Sequence, residues 1–347
     1  MTLTPKGQAQ TSAGQSQYQP PSTGIFRLMP ASWVPYAELM RLDRPAGFFA
    51  FYWHYLIGMS FAAAILPSVS LRALVEAAIY QIVWVIILRG AVCTVNDNFD
   101  QEFDRQVART RWRPIARGAV STMQANLFAA AQVALLAGMA LRCPLQQAAG
   151  LTAVPLYASL TTLILSVYPL GKRVTDMPQM ILGVGFAAAI PFSAALLGLD
   201  LFPVSPFALL QGQGGADSRL AAASLSLCVA SGLWTVIFDT VYAHQDRADD
   251  IKAGVRSLAV RLGDHTKPAL AVLAAAQIAL LVFTGVQSQF SAVYFVASCG
   301  GEALALATML VVVDLSKPAS CAWWFGKGTA IVGIILLSGL VGEYLLK

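Results

Sequence analysis

Two clusters of aspartates dominate this chain, and each follows a long apolar stretch. The first cluster occupies residues 96–104 and the second occupies residues 239–250. Eight of the eighteen acidic residues fall in these two windows, although only 12% of the chain is charged. Carboxylates beside a hydrocarbon layer are destabilising enough to be rare, and they commonly mark a functional site. The clusters are therefore the first candidates for chemistry.

In the first cluster the aspartates share one face of a predicted helix. Asp97, Asp100 and Asp104 lie at positions i, i+3 and i+7, and this spacing places side chains on the same side of a helix. Oxygen ligands without a histidine or cysteine pattern nearby are typical of Mg²⁺, which bridges protein carboxylates to substrate phosphates. We therefore predict that these three carboxylates bind Mg²⁺.

The second cluster repeats this pattern with a tyrosine in the first place. Tyr242, Asp246 and Asp250 lie at positions i, i+4 and i+8, and Asp239 lies one turn earlier on roughly the same side. We predict Asp246 and Asp250 as further ligands of the metal. A cation between the clusters would allow an anionic diphosphate to bind, which the carboxylates alone would repel.

The apolar segments around the clusters indicate an all-α, polytopic membrane protein. The chain is 57% hydrophobic, and it contains repeated apolar runs of about 20 residues, the length that spans a bilayer as a helix. We predict nine transmembrane helices in one bundle, at residues 46–66, 71–95, 121–141, 146–168, 177–199, 219–238, 268–286, 290–313 and 328–346. Residues 1–35, rich in Gln, Ser, Thr and Pro, are predicted to be a disordered tail, and residues 36–347 the membrane domain.

The number of spans between the clusters places both on one side of the membrane. The first cluster follows the second span and the second cluster follows the sixth, so an even number of crossings separates them. Eighteen of the 23 Lys and Arg residues lie on this side, and four lie on the other. By the positive-inside rule the clusters face the cytosol. The net charge of +5 is explained by these orientation charges, so we predict no nucleic-acid partner.

Basic residues flank both clusters in positions that suit an anionic substrate. The candidate substrate-binding residues on the aspartate side are Asn96 and Tyr242 within the clusters, and Arg44, Arg109, Arg113, Lys172 and Arg173 around them. Arginine and lysine stabilise a departing diphosphate as its negative charge grows in the transition state. Taken singly, each is equally consistent with a charge that only orients the protein.

Arg89 differs from the other basic residues because it lies inside the second predicted span. It precedes Asp97 by eight residues on the same helical face. An arginine within a membrane span, with a carboxylate in reach, is either functional or one half of a structural ion pair. Arg89 is therefore a further candidate for substrate binding.

These residues resemble the motifs of the UbiA superfamily of membrane prenyltransferases, and most closely its 4-hydroxybenzoate polyprenyltransferase group. The resemblance rests first on the run Asn-Asp-x-x-Asp-x-x-x-Asp at residues 96–104 and on the second aspartate motif at 239–250. Further matching stretches are residues 39–45, 113–114, 168–173, 178–179 and 254–257. The similarity extends over about residues 35–346, and the order and spacing of the two aspartate motifs are highly specific.

The resemblance implies a nine-helix bundle with a central cavity open to the cytosol, where Mg²⁺ and a prenyl diphosphate lie between the two motifs. It implies electrophilic aromatic substitution, in which the diphosphate leaves, an allylic cation forms at C1, and a ring carbon ortho to a phenolic hydroxyl attacks it. A basic residue of the Lys172 and Arg173 pair would hold the acceptor carboxylate, a role that we assign to Arg173. Asp246 or Asp239 would orient the acceptor or take its proton, and no protein partner is implied.

Two branches of the family and one non-enzymatic alternative remain open. Residues 47–55 and 113–121 look more like the fungal meroterpenoid enzymes, which implies transfer of a short group, above all farnesyl, to a polyketide-derived phenolic acid in the endomembrane system. The alternative is a mitochondrial 4-hydroxybenzoate polyprenyltransferase of ubiquinone biosynthesis. The first 30 residues contain only Lys6 and Arg27, a composition that is poor for a mitochondrial presequence. A non-catalytic carrier of polyprenyl lipids would release no diphosphate.

Overall fold

A computed structural model describes residues 18–67, 69–143, 145, 153–202 and 218–347 of the chain. This described part is helical and contains no strand, and nine of its helices are long and apolar enough to cross a membrane. They are α1 (Pro45–Ile65), α2 (Leu71–Asp104), α3 (Thr122–Leu141), α4 (Ala153–Val174), α5 (Pro178–Leu196), α6 (Ser218–Ala243), α7 (Leu258–Ser288), α8 (Ala292–Val312) and α9 (Pro318–Leu345). The predicted fold class and the nine spans are confirmed.

The ends of several helices differ from the predicted ones. α2 continues to Asp104, beyond the predicted end at residue 95, because polar residues on its last turns are buried against the bundle rather than exposed to a loop. α9 begins at Pro318, where a proline at the first helical position is favourable. The predicted beginning of the fourth span, at residue 146, lies outside the described residues.

Two kinds of irregularity interrupt the long helices. α5 breaks at Ala188 between Pro178–Ala187 and Ala189–Leu196, because Pro191 has no N–H and its ring crowds the carbonyl four residues earlier. α8 and α9 each contain one stretch with π-helical register, Phe295–Gly300 and Trp324–Gly328. The stretch in α9 lies beside the cavity described below.

The bundle packs around α1, α5 and α6, which are the most buried of the spans. α6 packs against α7 and the first half of α5, while α1 packs against α2, α9 and the second half of α5. Contact between α5 and α6 is close, because a Cβ at Gly183 would lie 2.7 Å from the Gly232 carbonyl oxygen. Small residues at such positions let helices approach closely, and van der Waals packing then stabilises them in a lipid environment.

The segment before α1 contacts the bundle through a polar cluster. It contains a 3₁₀ helix at Gly24–Leu28 and a short helix at Val34–Leu39. The Tyr18 hydroxyl donates to Glu38 Oε1 over 2.9 Å, and Arg117 Nη2 lies 2.5 Å from Glu38 Oε2. Residues 18–35 are thus more ordered than the predicted tail, while residues 1–17 lie outside the described part. The division into a tail and a membrane domain stays a prediction.

Candidate active site

The first aspartate cluster lies on the last turns of α2. The helix runs without interruption to Asp104, and Asp97, Asp100 and Asp104 are all buried on the side that faces the bundle. The predicted helix and common face of this cluster are therefore confirmed. Asp100, Asp104 and Asn96 reach a cavity at this end of the bundle, whereas Asp97 lies behind its wall.

The second cluster does not lie on one continuous helix, and this part of the prediction was wrong. α6 ends at Ala243, and the next helix, Arg247–Ala253, begins after Asp246. The helix ends because hydrogen bonds to the third preceding carbonyl replace the α-helical ones, as from the His244 N–H to the Val241 carbonyl. Asp239, Asp246 and Asp250 nevertheless all line the same cavity as the first cluster.

This shared cavity has a volume of about 430 Å³. Carboxylates of both clusters line it, namely those of Asp100, Asp104, Asp239, Asp246 and Asp250. Cationic side chains from five parts of the chain line it as well: Arg41, Arg44, Arg89, Arg109, Arg113, Lys172 and Arg256. The aromatic part of its wall consists of Phe51, Phe103, Tyr168, Tyr242 and Phe325. Acidic, basic and aromatic surfaces thus meet in one space.

Two cations hold the cavity carboxylates of the first cluster. Lys172, near the end of α4, places Nζ 2.5 Å from Asp100 Oδ2 and 3.5 Å from Asn96 Oδ1. Arg113, in the loop after α2, places Nη1 2.9 Å from Asp104 Oδ2. Burial opposes the charge of Arg113, but the nearby aspartates outweigh it and raise the pKa of the guanidinium. Arg113 is therefore charged, and Lys172 lies with it beside the space that a diphosphate would enter.

Arg109 connects the loop after the first cluster to the second cluster. Its Nε lies 2.8 Å from Asp246 Oδ1, its Nη2 lies 2.5 Å from Asp246 Oδ2, and its Nη1 donates to the Tyr242 hydroxyl over 3.1 Å. Burial lowers the pKa of the guanidinium, while Tyr242 and Asp246 raise it by more. A bidentate pair of this kind fixes direction as well as distance. It therefore fixes the position of the loop after α2 relative to the second cluster.

Asp97 occupies a different position from the other predicted ligands. Its side chain is fully buried and does not line the cavity. Asp97 Oδ1 lies 2.5 Å from Arg41 Nη2 and 3.1 Å from Arg113 Nη1. Its role as a metal ligand stays a prediction, and its position favours a role in holding two arginines at the cavity wall.

Arg89 fixes the turn before α1 instead of pairing with a carboxylate. Its Nη1 donates to the Arg41 carbonyl over 3.0 Å, and its Nη2 donates to the Arg44 carbonyl over 2.8 Å. A Cβ at Gly47 would lie 2.4 Å from Arg89 Nη2, so the absence of a side chain at Gly47 permits this approach. Arg89 thereby positions the segment that brings Arg41 and Arg44 to the cavity.

Arg173 lies outside the cavity, in contrast to the role predicted for it. Its Nη2 donates to the Phe99 carbonyl over 2.6 Å, and its guanidinium lies 5.7 Å from the centre of the Phe103 ring. Successive residues of an α-helix point about 100° apart, so only one member of the Lys172 and Arg173 pair can face the cavity. Lys172 is that residue, and the geometry does not favour Arg173 as the acceptor-binding group.

Several residues of the cavity were not predicted as site residues from the sequence, although all but Phe325 lie in stretches that resemble the family motifs. They are Arg41, Tyr168, Gln179, Arg256 and Phe325. The positive φ of Arg41, 58°, is uncommon for a residue with a side chain and has no sequence signal. The sequence nevertheless indicates a role for Arg41, because Arg41 and Arg44 lie just before the first span and a cation beside a hydrocarbon layer needs a partner.

The donor atoms of the cavity fit a hard divalent cation. They are carboxylate oxygens, and Asp100 Oδ1 is buried without a hydrogen-bond partner among the described residues. Burial and the neighbouring Asp246 raise the pKa of Asp250 to about 6, so a cation bound there would further favour its ionised form. In the described part no three such groups already form a metal cage. This arrangement fits Mg²⁺, which commonly takes one or two carboxylates and completes its shell with substrate phosphates and water.

Nine helices of membrane-spanning length in the described part of the chain, packed around this acidic and basic cavity, define the class of protein. The family model described as the UbiA prenyltransferase family matches residues 51–335. The chain belongs to the UbiA prenyltransferase family, and it is an enzyme, a membrane prenyltransferase. Its relatives include transferases named for an aromatic acceptor, so the reading as a non-catalytic lipid carrier is not supported.

Curated relatives of two kinds are similar to the chain at nearly equal levels. The prenyltransferase ascA of Acremonium egyptiacum is 34% identical over 96% of this chain and 92% of its own length. The polyprenyl transferase ausN of Aspergillus calidoustus is 32% identical over 100% of this chain and 88% of its own. A mitochondrial 4-hydroxybenzoate polyprenyltransferase of Caenorhabditis elegans is 34% identical over 94% of this chain and 83% of its own.

Solved structures of UbiA homologs share the fold. An apo structure of a homolog from Aeropyrum pernix K1 superimposes with a TM-score of 0.63 at 24% identity, covering 85% of this chain and 98% of that chain. A homolog from Archaeoglobus fulgidus bound to GPP and Mg²⁺ superimposes with a TM-score of 0.59 at 18% identity, covering 86% of this chain and 99% of that chain. The family model begins at residue 51, so the stretch that it matches does not include Arg41, Arg44 and Gly47.

Proposed function

We propose that this chain transfers a prenyl group from a prenyl diphosphate to a ring carbon of a phenolic acid, with Mg²⁺ as cofactor. One observation carries the proposal: carboxylates of two separate motifs, several cations and aromatic rings line the same cavity. The name of the relatives called 4-hydroxybenzoate polyprenyltransferases combines a polyprenyl group with a phenolic acid. The homolog solved with GPP and Mg²⁺ further supports this donor class and this metal.

The chain supplies a carboxylate set for the metal and a cation set for the diphosphate. The residues that would hold Mg²⁺ are Asp100, Asp104, Asp246 and Asp250. When bound, Mg²⁺ supplies positive charge that neutralises the leaving diphosphate. Lys172, Arg109 and Arg113 donate hydrogen bonds to the diphosphate oxygens, and these bonds strengthen as negative charge grows on them. Asn96 and Tyr242 are further polar residues of the cavity beside these cations.

The reaction proceeds by substitution on the acceptor ring. The bond between C1 of the prenyl group and the diphosphate oxygen breaks, and its electron pair leaves with the diphosphate. A ring carbon ortho to the phenolic hydroxyl then forms a bond to C1, and the ring loses its proton to a base. Asp239 is the better candidate for this base, because Arg109 binds both oxygens of Asp246, while Asp239 forms no ion pair among the described residues.

Arg44 is the cation best placed to hold a carboxylate of the acceptor. Arg41, Arg109, Arg113 and Lys172 are each within 2.5 to 2.9 Å of a motif carboxylate. By contrast, the one ion pair of the Arg44 guanidinium among the described residues is with its sequence neighbour Asp43, at 3.2 Å, and its side chain is 47% exposed. A surface pair of this kind is weak, so Arg44 can exchange Asp43 for an acceptor carboxylate.

We expect Arg44→Ala to raise the KM of a carboxylated phenol about tenfold or more, because a charge-assisted hydrogen bond is lost. The same substitution should hardly affect an acceptor that lacks the carboxylate, since the lost contact does not exist for it. Steady-state kinetics with a matched pair of acceptors measures both values. Arg173→Ala is the control, and a larger effect of Arg173→Ala than of Arg44→Ala would restore the sequence-based assignment.

For the donor, we propose a short prenyl group, above all farnesyl, and a polyketide-derived phenolic acid as acceptor in the endomembrane system. The cavity of 430 Å³ is in the lower part of the range of about 300–1,000 Å³ that holds drug-sized ligands. A donor of many isoprene units would have to extend far beyond it. The similarity to the fungal transferases ascA and ausN agrees with this branch, and the nearly equal similarity to the mitochondrial enzyme of Caenorhabditis elegans leaves the decision to product analysis.

Product analysis tests this function directly. Microsomes containing the enzyme are given Mg²⁺, one of geranyl, farnesyl or longer diphosphates, and a panel of phenolic acids, and products are identified by mass spectrometry. We expect a farnesylated phenolic acid whose formation stops when Mg²⁺ is chelated. Expression in a yeast strain without its own 4-hydroxybenzoate polyprenyltransferase separates the branches. Respiratory rescue by tagged protein in mitochondria would establish the ubiquinone branch instead.

A further inference from the structure

The π-helical stretch Trp324–Gly328 places one aromatic side chain of α9 in the cavity. Phe325, the second residue of the stretch, lines the cavity, and Ala322, three residues earlier on α9, lines it as well. Single π-helical turns within α-helices are uncommon and frequently occur at functional sites. The stretch of α9 is thus a candidate for a role in the reaction.

Local residues stabilise this register. The Thr329 hydroxyl donates to the Phe325 carbonyl over 2.5 Å and so links the end of the stretch to the residue that faces the cavity. A Cβ at Gly328 would lie 2.4 Å from Cε3 of the Trp324 ring, so glycine is needed there. A Cβ at Gly326 would lie 3.6 Å from the Ala46 Cβ, which shows how closely α9 approaches the beginning of α1. Thr329 and the two glycines therefore help to determine the position of Phe325.

Phe325 forms one continuous surface with Tyr242, and we call these two rings the aromatic wall. Their centroids are 4.1 Å apart and their planes are inclined by 37°. Phe238 supports the wall from behind, with its centroid 5.9 Å from that of Phe325. The Tyr242 hydroxyl accepts a hydrogen bond from Arg109, which also binds Asp246. The wall thus adjoins the polar residues proposed to bind the diphosphate.

We propose that the aromatic wall directs the allylic cation to the acceptor by stabilising it and by keeping water away from it. This inference rests on the proposed function. The face of an aromatic ring attracts a cation, and the attraction is stronger where water is excluded. C1 becomes cationic when its bond to the diphosphate breaks, so an aromatic face beside the diphosphate site is suitably placed. Phe325 is the specific contribution of α9.

The cation has two possible fates, and the wall selects between them. In transfer, a ring carbon of the acceptor forms a bond to C1 and the ring loses its proton. In hydrolysis, a water oxygen forms the bond to C1 and the water loses a proton, which gives a prenyl alcohol. Both fates release one diphosphate per donor. The ratio of prenyl alcohol to prenylated acceptor therefore reports the environment of the cation.

The test replaces Phe325 and measures this ratio with farnesyl diphosphate, Mg²⁺ and the best acceptor of the panel described above. Phe325→Leu keeps an apolar side chain but removes the aromatic face, and we expect the ratio to rise about fivefold or more. Phe325→Tyr keeps the ring and should retain a ratio close to that of the wild type. Because the ratio compares two products of the same enzyme, after the alcohol formed without enzyme is subtracted, a lower amount of folded enzyme does not change it.

Phe295→Leu is the matched control, because Phe295 begins the π-helical stretch of α8 and does not line the cavity. This variant should keep the wild-type ratio. Phe325→Met, whose flexible side chain fills similar space, is measured in parallel in case Phe325→Leu folds poorly. An unchanged ratio in Phe325→Leu and Phe325→Met, or an equal rise in Phe295→Leu, would overturn the role of the wall. A wild-type enzyme that releases no diphosphate would instead overturn the proposed function.

Discussion

Asp246→Asn should reduce turnover by about 100-fold or more, because it removes a charge that we propose binds Mg²⁺ where the diphosphate departs. Asp246 is a strong test case, since it lies in the second motif, lines the cavity and receives Arg109 on both oxygens. The amide can still contact Arg109 through one oxygen, so the change acts mainly on charge. Steady-state rates with purified enzyme in detergent provide the measurement, and size-exclusion profiles check folding.

Two measurements separate a metal role of Asp246 from its contact with Arg109. If Asp246 binds the metal, the concentration of Mg²⁺ at half-maximal rate rises in Asp246→Asn. If it only positions Arg109, that concentration stays the same and the donor KM rises. Asp249→Asn is the matched control, because Asp249 accepts a hydrogen bond from the Ala108 N–H and does not line the cavity. Nearly normal Mg²⁺-dependent activity in Asp246→Asn would remove Asp246 from the site.

Periodicity and composition predicted the fold well because a membrane constrains them strongly. A helix that crosses a bilayer needs about 20 apolar residues, so each span is visible in the sequence by itself. An even number of spans separates the two motifs, so they were predicted to lie on one side of the membrane, and the distribution of Lys and Arg predicted that this side is the cytosol. The structure brings Asp100 and Asp246 to one cavity. These predictions depend on local composition and on counting, and neither requires knowledge of helix packing.

Side-chain direction was harder to predict because packing decides it. A charged pair such as Lys172 and Arg173 offers two candidates, and only contact with α2 shows that Lys172 faces Asp100. The end of α6 at Ala243 likewise depends on hydrogen bonds that the aspartate spacing does not encode. The π-helical stretch that places Phe325 has no periodic signal at all. Such features require the three-dimensional arrangement.

The sequence pattern also grouped Asp97 with the metal ligands, although its surroundings suggest another role. Three aspartates on one helical face predict one shared function. In the folded protein Asp97 lies between two arginines, Arg41 and Arg113, and away from the cavity. A buried carboxylate in this position compensates the charge of Arg41 and shares that of Arg113 with Asp104, because a buried cation without a counter-ion is strongly disfavoured. Arg41 also has its pKa raised by Asp97 against the opposing effect of burial.

We expect Asp97→Asn to destabilise the protein strongly, because breaking a buried ion pair by removing one partner costs about 3–5 kcal/mol. Thermal unfolding in detergent should show a clearly lower midpoint. The donor KM should rise, since Arg113 loses its support, while the Mg²⁺ concentration at half-maximal rate should change little. A metal ligand would behave in the opposite way, with a higher Mg²⁺ requirement and a nearly normal unfolding midpoint.

The double variant Asp97→Asn with Arg41→Gln decides between these roles for Asp97. If Asp97 chiefly neutralises Arg41, then removing the second charge as well should recover part of the lost stability, because no uncompensated cation remains at that position. Turnover need not recover, since the cavity wall has lost a cation. If the double variant is less stable than Asp97→Asn alone, the proposed counter-ion role is wrong, and a place for Asp97 among the metal ligands becomes the better explanation of its burial on α2.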